Sequence, residues 1–281
     1  MPLQKSREIN VRKLIEQALA EDIGHGDITS EATIPAELVS IAVMIVKQDI
    51  VLAGLDVSCA VFHYLDPDIQ IATFAKDGDR IKEGTEIAKL SGGTRSLLAG
   101  ERVALNLLQH LSGIATLTSS YIDKCRGCKA GVLDTRKTLP GLRQLEKYAV
   151  FVGGGKNHRF GLFDGVLIKD NHIKAAGGIA RAVESARKSS HHLMKIEVEA
   201  KTLDEVCEAI AVKADVIMLD NMPLNVIQEA VKIIDGRALI EASGNVTLAN
   251  VRQIAETGVD FISSGSLTHS APAADISMKI E

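Results

Sequence analysis

Apolar positions change their period about a third of the way along the chain. Near the start, Ile9, Val11, Leu14, Ile15, Ala18 and Leu19 recur at helical spacing behind Ser6, a suitable N-cap, and this predicts a helix running into the loop "EDIGHGDITS". β-type runs follow at residues 39–54, 69–81 and 85–92, punctuated by Asp77-Gly78 and Glu83-Gly84 turns. These elements predict a small mixed domain over residues 1–107. Residues 99–125 then carry Val103, Leu107, Leu108, Leu111 and Ile114 on one face, predicting a long helix or a broken helix pair.

Beyond residue 130, short apolar runs alternate with amphipathic stretches. The runs are "GVLD" (131–134), "GVLIK" (165–169), "KIEVEA" (195–200), "DVIMLD" (215–220), "ALIEASG" (238–244) and "VDFISSG" (259–265). Between them, "GGIARAVESARKSS", "TLDEVCEAIAVK", "NVIQEAVKII" and "TLANVRQIAET" read as helices. Repeating units of this size predict a parallel α/β barrel of six to seven strands over residues 108–270, with residues 271–281 packing back on the first domain.

In such barrels chemistry sits at the C-terminal strand ends. Those ends carry residues 134–137, residues 169–172, Glu197 and Glu199, Asp220-Asn221, residues 241–245 and residues 263–266. A single polar strand end is usually a solvated terminus or a helix cap, but six in succession point to a shared site. The groups also sort by chemistry. Early strands supply cations, joined by Lys156, His158 and Arg159 of "GGGKNHRFG"; middle strands supply carboxylates; the last two supply the Gly/Ser turns "ASGN" and "SSGS". Backbone N–H groups at such turns suit a phosphate.

Composition narrows the ligand. A net charge of −4 argues against a general nucleic-acid or membrane surface. Residues 134–174 nevertheless hold eight Lys/Arg against four Asp/Glu, which points to an anionic small molecule. No apolar run approaches a spanning helix, the first ten residues carry no apolar leader core, and a cytoplasmic protein is expected. Cys125 and Cys128 form one CxxC without a second Cys/His pair at ligand spacing, so a reduced thiol pair is favoured over a zinc or redox site. "DGDRIKEGTEIAKLSG" has the cadence of a carrier sandwich, but no lysine stands on an evident hairpin tip. Adjacent strand-end carboxylates suit a hard, oxygen-ligated Mg²⁺ held with substrate phosphates. Facing cations suit a second ligand bearing carboxylates, which Arg recognises in planar bidentate fashion. A Schiff-base aldolase using Lys169 and a non-catalytic phosphosugar sensor remain open on these grounds.

The motifs "GERVALNLLQHLSGIAT", "DTRKTLPGLRQLEKYAV", "GGGKNHRFGLFDGVLIKDNHI", "IEVEA", "IMLDN", "EASGN" and "GVDFISSGSLTHS" resemble those of nicotinate-nucleotide pyrophosphorylase (carboxylating), also called quinolinate phosphoribosyltransferase. Molybdenum-associated homologues share "DTRKT" but are expected to lack the intact "KDNH" present here. The resemblance implies an N-terminal α/β sandwich and an incomplete barrel. It also implies transfer of a phosphoribosyl group from phosphoribosyl pyrophosphate to quinolinate, with Mg²⁺ and loss of CO₂, in NAD synthesis. Carried over by motif, Thr135, Arg136, Lys137, His158, Arg159 and Lys169 would surround quinolinate and pyrophosphate, joined by Arg102 from the partner of a homodimer that could assemble further, as in a hexamer. Glu199 and Asp220 would face the ribose and Mg²⁺, and together with Lys137 and Lys169 form the catalytic set. Ser243, Gly244, Asn245, Ser264, Gly265, Ser266 and His269 would hold the 5′-phosphate.

Overall fold

The computed structural model describes residues 5–281, with side chains from Val11 onward, so the side chain of the expected Ser6 cap lies outside those described. Two compact units divide the chain. The first comprises Met1–Leu117, Pro140–Gly153 and Ala271–Glu281; the second comprises Thr118–Leu139 and Gly154–Ser270.

The first unit begins with helices α1 (Lys5–Ile23) and α2 (Ile28–Thr33). The second of these lies inside the expected "EDIGHGDITS" loop and beyond it. Asp27 starts it, its carboxylate accepting the N–H of Ser30 at 3.0 Å, a cap that the Gly-rich context masks. There follow β1 (Val39–Val46), β2 (Ile50–Val51), α3 (Leu55–Leu65), β3 (Gln70–Thr73), β4 (Arg80–Ile81) and β5 (Glu86–Gly93). β1 lies between β5 and a C-terminal strand, Ile276–Ile280, in an antiparallel sheet. Ala42, Val43, Met44 and Val46 of β1 are buried, as are Val57, Val61 and Phe62 of α3. Asp77 caps α3 from a distant turn, accepting the N–H groups of Gly54 (2.8 Å) and Leu55 (3.0 Å) and the hydroxyl of Tyr148 (2.7 Å).

Helix α4 runs unbroken from Thr94 to Cys125. The domain boundary expected at residues 107/108 therefore falls within one helix. Its apolar face continues through Val103, Leu107, Leu108, Leu111 and Ile114, all buried, so no local signal marks the passage from one unit to the next.

The second unit contributes β6 (Gly131–Leu133) before the chain makes α5 (Arg143–Val152), which belongs to the first unit. That excursion interrupts the expected uninterrupted barrel segment. β7 (Val166–Ile168), α6 (Asp170–Ala176), α7 (Ile179–Ser189), β8 (Ile196–Ala200), α8 (Leu203–Ala211), β9 (Val216–Asp220), α9 (Leu224–Ile234), β10 (Leu239–Ser243), α10 (Val251–Glu256), β11 (Phe261–Ser263) and α11 (Ser266–His269) complete it, and β12 (Ile276–Ile280) is the returning strand of the first unit.

The six parallel strands pair in the order β6-β11-β10-β9-β8-β7, so β6 and β7 end the sheet and the barrel is incomplete. All five residues of β8 are buried, as expected of a strand covered on both faces. Ile196, Val198 and Ala200 alternate with Glu197 and Glu199, sending apolar and acidic groups to opposite faces. Helices α7, α8 and α9 bury Ile179 and Val183, Val206 and Ala209, and Ile227, Ala230 and Ile234. Each large aliphatic side chain buried in this way stabilises the unit by about 1.5–3 kcal/mol. At the N-terminal strand ends, Asp215 and Asp260 accept the N–H groups of Ile196 and Ile240, each at 2.9 Å, tying neighbouring strands together.

Candidate active site

Strand periodicity builds the site. Lys169 extends the face of Leu167, Glu199 that of Glu197, and Asp220 that of Met218, while Ser243 follows Glu241 at the same two-residue step. These positions other than Glu197, with Ser263 and the loops after the strands, line a cavity of about 680 Å³. All its lining residues belong to the second unit.

Its cationic side is held from beneath by Asp134. This carboxylate is fully buried and accepts the Asn157 amide at 2.6 Å and the His158 N–H at 2.9 Å. It does not line the cavity; it orders the loop that carries His158 and Arg159. Arg159 also donates to the Gly165 carbonyl at 2.9 Å. Burial and the neighbouring Arg136 guanidinium both push the Arg159 pKa down. Two guanidiniums placed to repel each other make an arrangement that an anion between them relieves. Lys169 closes this side as the N-cap residue of α6, its N–H donating to Nδ1 of His172 at 3.0 Å. Asp170 pairs with Lys201 at 2.7 Å. The "KDNH" motif thus combines one cavity residue with the groups that order its helix.

The acidic side presents Glu199, 3.4 Å from the Lys169 ammonium, and Asp220, which accepts from the side chain of Asn221 at 2.9 Å. Another acidic group gathers around His158. Its Nε2 lies 3.1 Å from Glu197 and 3.6 Å from Glu241. Nδ1 receives the Arg159 N–H at 2.7 Å, which leaves Nε2 as the proton-bearing nitrogen turned toward the acids. Burial, reinforced by the nearby Glu197 charge, pushes the Glu241 pKa up to about 8.

The third side joins the two Gly/Ser turns. Ser263 donates to Ser243 at 2.9 Å, and the Ser264 and Ser266 hydroxyls are 2.7 Å apart. Tyr121 approaches Ser266 at 3.2 Å. Gly265 has ordinary helical φ, so its reason is space: a Cβ there would lie 2.9 Å from Cδ of Lys137 and 3.1 Å from the His269 ring.

Thr135, Arg136, Lys137, His158, Arg159, Lys169, Glu199, Asp220, Ser243, Gly244, Asn245, Ser264, Gly265, Ser266 and His269 therefore line one cavity. Arg102 does not; it is exposed on α4. Sequence reasoning assigned no role to Glu197, Glu241 or Asn221, although all three stood among the strand-end groups. The two-residue alternation of "IEVEA" was the available signal for Glu197. The cluster with His158 depends on three separate segments and had none. Cys125 is buried, and both thiols of the CxxC pair are free.

Among the described residues, no helix is long and apolar enough to cross a membrane. A six-stranded parallel barrel with cations, carboxylates and Gly/Ser turns around one cavity defines an enzyme-type site for polyanionic ligands. Family models described as quinolinate phosphoribosyl transferase, N-terminal and C-terminal domains, match residues 27–112 and 114–279, and the chain belongs to this family. A chloroplastic nicotinate-nucleotide pyrophosphorylase (carboxylating) of Arabidopsis thaliana is 46% identical, over 97% of this chain and 83% of that protein. A probable nicotinate-nucleotide pyrophosphorylase (carboxylating) of Bacillus subtilis is 45% identical, over 97% and 94%. The crystal structure of NadC from Streptococcus pyogenes superposes with a TM-score of 0.93 at 42% identity, covering 97% of each chain.

Proposed function

We infer that this chain transfers the phosphoribosyl group of phosphoribosyl pyrophosphate to quinolinate, giving nicotinate mononucleotide, pyrophosphate and CO₂. The observation that carries this reading is the meeting, in one cavity, of the Arg136/Arg159 pair, the Glu199/Asp220 pair and the two serine-rich turns. The pyridine nitrogen attacks ribose C1 as the bond from C1 to the pyrophosphate oxygen breaks, and that electron pair leaves with pyrophosphate. Positive charge grows on the sugar, where Glu199 and Asp220 stabilise it. Lys137 and Lys169 meet the growing negative charge of the leaving group. Loss of the 2-carboxylate as CO₂ then leaves its electron pair on ring C2, where the adjacent cationic nitrogen stabilises it, and a proton takes up that pair. Arg136 and Arg159 anchor the 3-carboxylate; a tight grip on the 2-carboxylate would oppose its loss.

Glu199 and Asp220 present only oxygen donors at adjacent strand ends, a set that fits Mg²⁺, whereas the other acidic group includes an imidazole. When bound, Mg²⁺ supplies charge neutralisation for the pyrophosphate. Ser243, Gly244, Asn245, Ser264, Gly265, Ser266 and His269 surround the 5′-phosphate. The exposure of Arg102 suits a homodimer in which Arg102 of the partner subunit completes the cavity. Free thiols suit a reducing compartment such as the cytoplasm. Incubation with quinolinate, phosphoribosyl pyrophosphate and Mg²⁺ should release CO₂ and nicotinate mononucleotide in equal amounts. Turnover of nicotinate but not quinolinate would overturn the substrate assignment.

A further inference from the structure

Asn221 follows β9 directly and has φ +55°, a left-handed conformation that asparagine tolerates better than most residues. Its backbone N–H donates to the Ser243 carbonyl at 2.9 Å, which anchors it to the end of β10. Its side chain then reaches two ways. Nδ2 donates to Oδ1 of Asp220 at 2.9 Å, and Oδ1 accepts from Nδ2 of Asn245 at 2.9 Å. A carboxylate only accepts, so Asp220 dictates which way this amide faces, and Asn245 must then be the donor to its oxygen.

The turn after β10 is built around that amide. Gly244 has φ +95°, and a Cβ there would overlap the Asn221 side chain, Oδ1 first. Asn245 is itself left-handed at φ +50°. The carbonyl of Asn245 accepts from Asn250 at 3.0 Å, and Asn250 in turn accepts the N–H of Thr247 at 2.8 Å. One side-chain amide thus touches a strand-end carboxylate and the turn on the neighbouring strand together.

We propose that Asn221 is a positioning residue that couples the orientation of the Asp220 carboxylate to the conformation of the turn at residues 243–245. Phosphate bound by the turn and sugar hydroxyls facing Asp220 then reinforce each other within one ligand. This inference rests on the proposed phosphoribosyl site, and it explains why residue 244 has no side chain and why residue 221 carries an amide.

Two variants test it. Asn221→Gly preserves the left-handed backbone and deletes the amide; Asn221→Asp keeps the shape but replaces the donor to Asp220 with a repelling acceptor. Calorimetry with ribose 5-phosphate and with inorganic phosphate separates the linked ligand from its phosphate alone. Ribose 5-phosphate affinity should fall about tenfold or more in folded Asn221→Gly, the scale of one lost hydrogen bond to a charged group, with a larger fall in Asn221→Asp. Phosphate affinity should stay near wild type. Equal losses for both ligands would make Asn221 only a shaper of the turn, and no loss for either would leave it without a role; each overturns the proposal, as does wild-type protein that fails to bind ribose 5-phosphate. In turnover, the KM for phosphoribosyl pyrophosphate should rise while quinolinate binding stays unchanged. Wild-type protein that binds ribose 5-phosphate but turns over no quinolinate would sink the substrate assignment alone, because the binding comparison still decides the role of Asn221.

Discussion

Nε2 of His158 points at Oε2 of Glu197 across 3.1 Å, with Glu241 0.5 Å farther from the same nitrogen at 3.6 Å. Two acids facing one imidazole proton cannot both ionise cheaply in a buried place. Burial first, and Glu197 second, raise Glu241 to about 8 from an ordinary 4.5, while His158 and Ser263 pull it the other way. A carboxyl whose folded pKa is raised stabilises the fold fully below its unfolded pKa, and that stability is lost as pH rises through the folded value. Thermal denaturation should therefore show Tm falling from pH 6 to pH 9, and Glu241→Gln should flatten the decline. Parallel Tm profiles for the two proteins would show that Glu241 is ionised throughout.

Asp134 supports the site without lining it. Asp134→Ala leaves the Asn157 amide and the His158 N–H without their buried acceptor, at about 1–3 kcal/mol for each. Calorimetric unfolding should show a clear drop in Tm, and the KM for quinolinate should rise because the loop carrying Arg159 loses its anchor. Asp134→Asn retains one acceptor oxygen and should fall between the two. A variant with unchanged Tm would contradict the anchoring role.

Loss of Arg136 should be felt in catalysis more than in folding. Arg136→Ala should lower kcat/KM about tenfold to a hundredfold, the equivalent of about 1.5–3 kcal/mol for a charge-assisted contact. Arg136→Lys should recover only part of that, because an ammonium lacks the planar fork. A near-normal kcat/KM for the alanine variant would remove Arg136 from the anion wall.

Gly265 separates space from backbone strain. Its φ of −68° is open to any residue, so Gly265→Ala should fold with little change in Tm. The added methyl would press on Lys137 and His269, and the KM for phosphoribosyl pyrophosphate should rise severalfold, on the scale of about 1 kcal/mol for a crowded contact. Steady-state kinetics beside a melting curve would show it, and an unchanged KM would mean that neither neighbour meets the substrate from its present position.

Arg102 supplies a test of assembly. Mixing inactive Arg102→Ala with inactive Lys169→Ala subunits should restore part of the activity if each cavity takes Arg102 from the partner subunit. Confirmed subunit exchange without restored activity would place Arg102 outside the site.

The alternation of apolar runs with amphipathic segments was enough to define a parallel barrel, because periods of two and of about three and a half positions are written in consecutive residues. Strand polarity then put Arg136, Lys169, Glu199, Asp220 and Ser243 on the face that carries the cavity, since chain direction decides which strand end comes last. Other features were masked by their local context or depended on contacts between segments far apart in sequence. The "EDIGHGDITS" loop hides a helix because Asp27 caps it. The boundary expected at residues 107/108 carries no local mark, because α4 keeps one apolar face from Leu97 to Ile114. The His158–Glu197–Glu241 cluster needs a loop and two strands to meet, and the role of Asn221 needs β9 beside β10. Local patterns encode which face a residue takes; only pairing of the strands decides which groups stand within hydrogen-bonding distance, and it was there that the electrostatics of this site were made.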